Sequence, residues 1–126
     1  MADYTPVYGK PQAMTMTAGA TITGGQVLKL SAADTVQPAD ANAPTYVGVA
    51  AHDAASGAPV TVLAGSGVVH ETLCAGTISQ GTLVFAGSAT AGELGVANSG
   101  YNVAIGVALR TTTTTHGLLR WKALVG

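Results

Sequence analysis

Short runs in which apolar and polar residues alternate, separated by glycine, proline, asparagine or aspartate, recur along the chain. A two-residue period puts the apolar side chains on one face of a strand, whereas a helix needs a period near 3.6. The 17 glycines interrupt any long helix, and valine and threonine favour strands. We therefore predict an all-β domain, a small barrel or sandwich. The predicted strands are residues 14–17, 26–30, 46–50, 60–63, 68–74, 82–86, 103–110 and 118–125.

Three segments of the first half recur in the same order in the second half. The sequence TITGGQVL at residues 21–28 aligns with TISQGTLV at residues 77–84, and VGVA at residues 47–50 aligns with IGVA at residues 105–108. Residues 59–63 match residues 118–122 in pattern. The offsets grow slowly from 56 to 59, as small loop insertions would produce. We therefore predict a single β domain, residues 18–126, built from two similar halves at residues 18–70 and 75–126.

Charge is scarce in this chain. Asp, Glu, Lys and Arg make up 9% of the residues, against ~25% in an average soluble domain, and the net charge is −1. Binding to nucleic acid needs clustered Lys and Arg, so we expect no nucleic-acid partner. No apolar run is long enough to cross a membrane, and the amino terminus lacks the pattern of a secretory signal, so we expect no membrane partner. So little charge favours association with other protein.

Histidine and carboxylate are neighbours at His52 with Asp53 and at His70 with Glu71, while His116 stands apart. Adjacent residues of a strand point to opposite faces, so His70 and Glu71 could not act on one substrate atom. A metal site would need three converging ligands. We expect the histidines to be exposed polar residues of strands and loops, and we predict no metal site.

Cys74 is the single cysteine, which excludes an intrachain disulfide. We expect it to be a buried core residue rather than a nucleophile. The glycine-rich stretches at residues 24–25 and 65–67 lack a following helix and are interpreted as turns. The sequence therefore predicts no catalytic residue, no cofactor and no enzyme.

In the last predicted strand, Leu119 and Trp121 alternate with Arg120 and Lys122. The two apolar residues share one face of the strand, and the two basic residues share the other. We predict that Leu119 and Trp121 face the core.

Residues 1–17 form an amino-terminal arm and lead-in strand outside the repeat. Within it, the prolines of residues 1–12 favour extended backbone and the apolar residues have no period, so we expect residues 1–12 to add nothing to the core. Tyrosine suits interfaces because it offers a large ring and a hydroxyl. The arm either docks on another protein or is a frayed end. The predicted contact residues are Tyr4, Pro6, Tyr8, Lys10 and Pro11.

The sequence YVGVA at residues 46–50, followed by DAASGAPVTV at residues 53–62, resembles the capsid decoration, or cement, proteins of tailed bacteriophages. The family pattern A-x-I-x-x-G-x-V-L-K-L is matched at residues 20–30, and IGVAL at residues 105–109. The resemblance covers residues 18–125. It implies a small β-barrel or β-tulip-like fold, no catalysis, and attachment to the outside of an assembled icosahedral head.

Cement proteins of this kind bind the major capsid protein and stabilise the head against the pressure of the packaged DNA. Related proteins usually sit as trimers at three-fold positions, so the resemblance implies a homotrimer on the outer capsid surface, made in the host cytoplasm. The five arm residues then become candidate contacts with the capsid or with a neighbouring subunit. Many relatives start closer to their first strand, so the longer arm is a departure from the family pattern.

Two other classes of protein share parts of this pattern. A phage tail, fibre or surface adhesion module could have the same all-β, threonine-rich composition, although one Trp and one Phe make a poor aromatic cluster for sugar binding. A biotinyl or lipoyl carrier domain also repeats a half-barrel, but it needs a lysine at a hairpin tip. Lys10, Lys29 and Lys122 fall in the arm or in predicted strands.

Overall fold

A computed structural model describes residues 4–40, 45–88, 90–96 and 104–125. The described residues form ten strands and contain no helix, which confirms the all-β prediction. None of them lies in a helix long and apolar enough to cross a membrane. Residues 1–3, Val103 and Gly126, for which an arm or a strand end was expected, lie outside the described residues. The strands are β1 Gln12–Ala18, β2 Val27–Ala32, β3 Thr35–Pro38, β4 Tyr46–Ala50, β5 Pro59–Ala64, β6 Val69–Leu73, β7 Leu83–Ala86, β8 Leu94–Gly95, β9 Ala104–Ala108 and β10 Leu118–Ala123.

Strands β1 to β5 close into a barrel in the order β1-β3-β2-β4-β5, here called the first barrel. It closes because β1 pairs antiparallel with β5 on one side and parallel with β3 on the other. Its interior is filled by alanine and branched aliphatic side chains. These are Ala18, Ile22, Leu28, Val36, Ala50, Ala54, Val60 and Val62. The small β-barrel expected from the sequence is thereby confirmed.

Strands β6 to β10 form a second sheet in the order β6-β10-β9-β7-β8. Its two edge strands approach each other where Cys74, just after β6, makes a parallel bridge to Leu94 in β8. The N–H of Ala75 donates to the Leu94 carbonyl at 3.0 Å. The second sheet therefore curls toward a barrel of its own.

Strand pairing repeats between the two halves. Met14 of β1 faces Val62 of β5, and His70 of β6 faces Trp121 of β10. Outside the strands, the bridge between Ile22 and Ala54 recurs as the bridge between Ile78 and Thr112. The same pairing pattern thus occurs in strands β1 to β5 and in strands β6 to β10. The division differs from the expected one, because β1 is the first strand of its half and β6 opens the second half.

The two halves share one core. Val27, Val49 and Leu63 alternate with the interior residues of the first barrel, so they point outward from it. They are nevertheless buried, in one cluster with second-half residues such as Leu94 and Trp121. Leu119 and Trp121 are fully buried, whereas Arg120 is half-buried and Lys122 is exposed. The predicted orientation of β10 is confirmed.

Candidate functional site

The amino-terminal segment, residues 4–11, lies along the free edge of β6. The N–H of Val7 donates to the Val69 carbonyl at 2.8 Å, and the N–H of Val69 donates to the Tyr8 carbonyl at 3.0 Å. These bonds extend the second sheet by a short antiparallel bridge between Tyr8 and Val69. A sheet edge that would otherwise offer unpaired groups is thereby covered over part of its length.

Tyr4 connects the two halves of the molecule. Its N–H donates to the Ala51 carbonyl of the first barrel at 2.6 Å, and its hydroxyl lies 2.7 Å from His70 Nδ1 in the second sheet. The same hydroxyl accepts the N–H of Glu71 at 3.1 Å. Tyr4 is 8% exposed, and its burial raises the pKa of its hydroxyl. The expectation that the arm adds nothing to the core is therefore wrong at this residue.

His70 is fully buried, contrary to the expectation that the histidines are exposed. Burial lowers the pKa of its imidazole to about 4, so the ring is neutral near pH 7, and its Nδ1 is hydrogen-bonded to the Tyr4 hydroxyl. The His70 ring lies 5.1 Å from the Trp121 ring, and Trp121 Nε1 donates to Thr72 Oγ1 at 3.0 Å. The alternation of β6 carries the signal for this burial, since His70 and Thr72 share a face with the core residue Cys74.

The outward side of β6 and β10, with Tyr8 beside it, forms the surface here called the β6–β10 face. Tyr8 is 63% exposed, and its ring centroid lies 5.9 Å from Arg120 Cζ, within cation–π range. Arg120 donates to Glu71 Oε2 from Nη2 at 3.1 Å and from Nε at 3.3 Å. Leu73 and Leu118 face each other across the strands and are 45% and 53% exposed. An aromatic ring, two leucines and a neutralised ion pair are suited to contact with protein.

Of the other predicted contact residues, Lys10 is exposed and Pro6 and Pro11 are half-buried. All three flank Tyr8 along the chain. Tyr8 is the predicted residue that the fold brings onto the β6–β10 face. The sequence did not identify Glu71, Arg120 or the leucine pair as contact residues, although the alternation of β6 and β10 already places them outward.

A cleft of about 290 Å³ opens beside this face, between the turn at residues 23–26 and the loop at residues 90–93. Glu71, Leu73 and Leu118 line it together with Glu93. Glu93 is 6% exposed, and its Oε2 lies 2.7 Å from His116 Nδ1. Sequence reasoning missed this pair, because its members lie in different loops and no local pattern links them. The cleft carries carboxylates and apolar side chains.

The remaining candidates for chemistry are structural. Burial raises the pKa of the Cys74 thiol, which donates to the Gly76 carbonyl at 3.4 Å, so the predicted core cysteine is confirmed. His52 is half-buried, and its Nε2 accepts the N–H of Thr61 at 3.2 Å. Among the described residues, no three His, Cys, Asp or Glu side chains converge as metal ligands would. Lys29 lies within β2 and pairs with Asp40 at 2.8 Å, away from a hairpin tip.

The fold is similar to that of solved phage proteins. The head fiber gp8.5 N base in bacteriophage phi29 matches 90% of this chain and 94% of that chain, with a TM-score of 0.64 and 15% sequence identity. A chain in the capsid of Myoviridae phage XM1 matches 98% of this chain and 92% of that chain, with a TM-score of 0.65 and 16% identity. At such identities the likeness shows a shared fold. A search of curated proteins found no match.

A family model described as phage cement protein matches residues 8–122. The match begins at Tyr8, covers both halves of the repeat and ends within β10. It confirms the resemblance drawn from the repeated motifs. Because the match spans nearly the whole sequence, this chain belongs to the phage cement protein family.

Proposed function

We propose that the chain is a structural protein of the phage head, which binds the outer surface of the assembled capsid and stabilises it against the pressure of the packaged DNA. Membership of the cement family supports a capsid-associated role without catalysis. The observation that carries the choice of surface is the β6–β10 face, where Tyr8, Leu73 and Leu118 are exposed around a paired Glu71 and Arg120.

The chemistry of this face suits a capsid shell. Arg120 and Glu71 pair with each other, so the face can be covered without leaving an unpaired buried charge. Tyr8 and the two leucines then supply apolar contact area, worth ~25 cal/mol for each Å² removed from water. Pro6, Lys10 and Pro11 extend the contact along the amino-terminal segment. The major capsid protein is the proposed partner, and the copies are proposed to form a homotrimer at three-fold positions.

Binding to emptied heads from which the cement protein has been stripped tests this proposal. Leu118→Asp and Tyr8→Ala should each weaken binding tenfold or more, because each removes apolar contact area from the face. Thr17→Asp is the matched control, because Thr17 is also exposed. Thr17 pairs with Pro59 in the first barrel at the position where Leu73 pairs with Leu118 in the second sheet. Unchanged binding by both face variants would show that the capsid contact lies elsewhere.

The stabilising role and the location need their own measurements. Stripped heads refilled with wild-type protein should break at a higher temperature than bare heads, and heads given Leu118→Asp should behave as bare heads. Labelling of a Thr17→Cys variant on decorated heads with a thiol reagent too large to enter the shell reports the outer surface, because Thr17 is exposed outside the proposed contact and Cys74 is buried. Protection of that cysteine on intact heads, with labelling only after the shell is opened, would contradict an outer location.

A further inference from the structure

The contact between the two halves is made by an outward row of the first barrel. Val27, Val49 and Leu63 pair side by side across β2, β4 and β5, and they are 0%, 0% and 8% exposed. Their cover comes from the second half, since they share a cluster with Ala86 and Ile105. An outward row of a barrel is thus buried because the other half of the repeat packs on it.

The register identifies the same row in the second half. Leu83 and Val107 pair at the positions that Val27 and Val49 occupy in the first barrel. Val107 also pairs with Lys122, at the positions that Val49 and Leu63 occupy. This row is open: Leu83 is 50% exposed and Lys122 is exposed.

Leu109 extends the open row. The N–H of Leu109 donates to the Arg120 carbonyl, and at the equivalent place in the first half the N–H of Ala51 donates to the Thr61 carbonyl. Leu109 is 43% exposed. Leu83, Val107 and Leu109 are here called surface A.

The second-half residues that cover the buried row also have equivalents in the first half, and these equivalents are more exposed. The repeat offsets of 56 and 58 make Leu30 equivalent to Ala86, and Val47 equivalent to Ile105. Met14 faces Val62 at the position where His70 faces Trp121. Leu30 and Met14 are 43% and 38% exposed, and Val47 is half-buried. Met14, Leu30 and Val47 are here called surface B.

We infer that copies of this chain associate head to tail, with surface A of one copy packed on surface B of the next. This contact would repeat between molecules the packing that joins the two halves within one molecule. Surface A and surface B are different patches, so the contact is heterologous, and such contacts close into rings when the rotation permits. The inference deepens the self-association included in the proposed function by naming its two surfaces.

The contact between copies should be weaker than the internal one. Lys122 lies beside Val107 of surface A, at the position that Leu63 occupies in the buried row of the first barrel. An ammonium group therefore replaces one apolar side chain of that row. The two halves are also joined by the chain, which raises their effective concentration, whereas separate copies have no such link. We therefore expect an oligomer that forms reversibly with concentration.

Sedimentation of the purified chain, at concentrations up to about 1 mM, tests the inference with three variants. Leu83→Glu removes surface A and Leu30→Glu removes surface B, so each should be monomeric where wild type associates. Mixed together they should form a one-to-one dimer and nothing larger, because one intact surface of each kind remains. Thr17→Glu, an exposed position outside both surfaces and outside the β6–β10 face, is the control and should associate as wild type does. Thermal melts of each variant confirm that it is folded.

Three outcomes would overturn the inference. Wild type could stay monomeric throughout the range, both variants could still associate, or the mixture of two monomeric variants could fail to pair. An A-to-A contact would leave Leu30→Glu fully associated, which distinguishes it from the head-to-tail contact. No head is present in this experiment, so its failure leaves capsid binding to be decided by the stripped-head assay.

Discussion

The hydroxyl of Tyr4 satisfies two buried groups of the second sheet at once. It is hydrogen-bonded to His70 Nδ1 and accepts the N–H of Glu71. Tyr4→Phe leaves both groups without that partner, and a buried group deprived of its hydrogen bond costs about 1–3 kcal/mol. We expect a loss of this size in the free energy of urea unfolding. Tyr8→Phe is the matched control, since Tyr8 is exposed. Equal stability of the two variants would mean that water replaces the Tyr4 hydroxyl.

Acid should destabilise the protein through His70. Its pKa is lowered from 6.5 in the unfolded chain to about 4 in the folded protein, because burial disfavours the charged ring. Between these values the unfolded state binds more protons, so stability falls as the pH falls, by at most about 1.4 kcal/mol per pH unit. His70→Asn keeps an acceptor for Tyr4 but does not titrate.

Urea unfolding at pH 7 and at pH 5 measures the effect of His70. We expect wild type to lose more stability over this interval than His70→Asn does. His52 and His116 are present in both proteins, so the difference between them belongs to His70. Equal losses would show that the ring is protonated in the folded state as easily as in the unfolded one.

At this scale, alternation predicted orientation well and long-range pairing poorly. It placed Trp121 in the core and Arg120 outside, because a strand has a fixed two-residue period. It could not show that Tyr4 reaches His70, or that Glu93 reaches His116, since nothing local encodes a contact between distant segments. The same alternation places the residues of the β6–β10 face outward, but it does not show that Tyr8 lies beside them.

Gly48 and Gly106 occupy equivalent positions in β4 and β9, and neither has room for a side chain. A Cβ at Gly48 would lie 2.5 Å from the Leu63 carbonyl oxygen, and one at Gly106 would lie 2.5 Å from that of Lys122. The neighbouring strand would have to move, so Gly48→Ala and Gly106→Ala should each cost about 1–3 kcal/mol. Thermal melts check this. Gly76→Ala is the control, because nothing lies within 4 Å of its Cβ position. A melt unchanged in both strand variants would contradict the close packing.

Strand prediction from the sequence succeeded for the longer strands and failed for the shortest ones. All eight predicted strands exist, because each carries several alternating or β-branched residues. β3 and β8 were missed, since they are 4 and 2 residues long and too short to display a period. The amino-terminal segment was missed for a different reason. It pairs with β6 through backbone groups, which every residue carries, so its side chains give no signal of that pairing.

For the whole molecule, the repeat predicted the two halves but not their junction. Some equivalent residues have similar types in both halves, such as Val27 and Leu83, and this similarity is the basis of the predicted duplication. Burial differs between equivalents: Val27 is covered and Leu83 is open. This difference in burial depends on how the two halves pack against each other, and the residue pattern of one half does not predict that packing.

The shared core predicts that the two halves unfold together. Trp121 is the single tryptophan and lies in the second half, so its fluorescence reports that half, while far-UV circular dichroism reports both. Val62 is the equivalent residue of the first barrel and is fully buried. Val62→Ala should lower the free energy of unfolding by about 1–3 kcal/mol. Val49 and Leu63 are buried against the second half only while the first barrel is folded. The tryptophan transition should therefore shift by the same amount as the dichroism transition. A tryptophan transition that stays at its wild-type midpoint while the dichroism splits in two would show that the halves are separate folding units joined only by the chain.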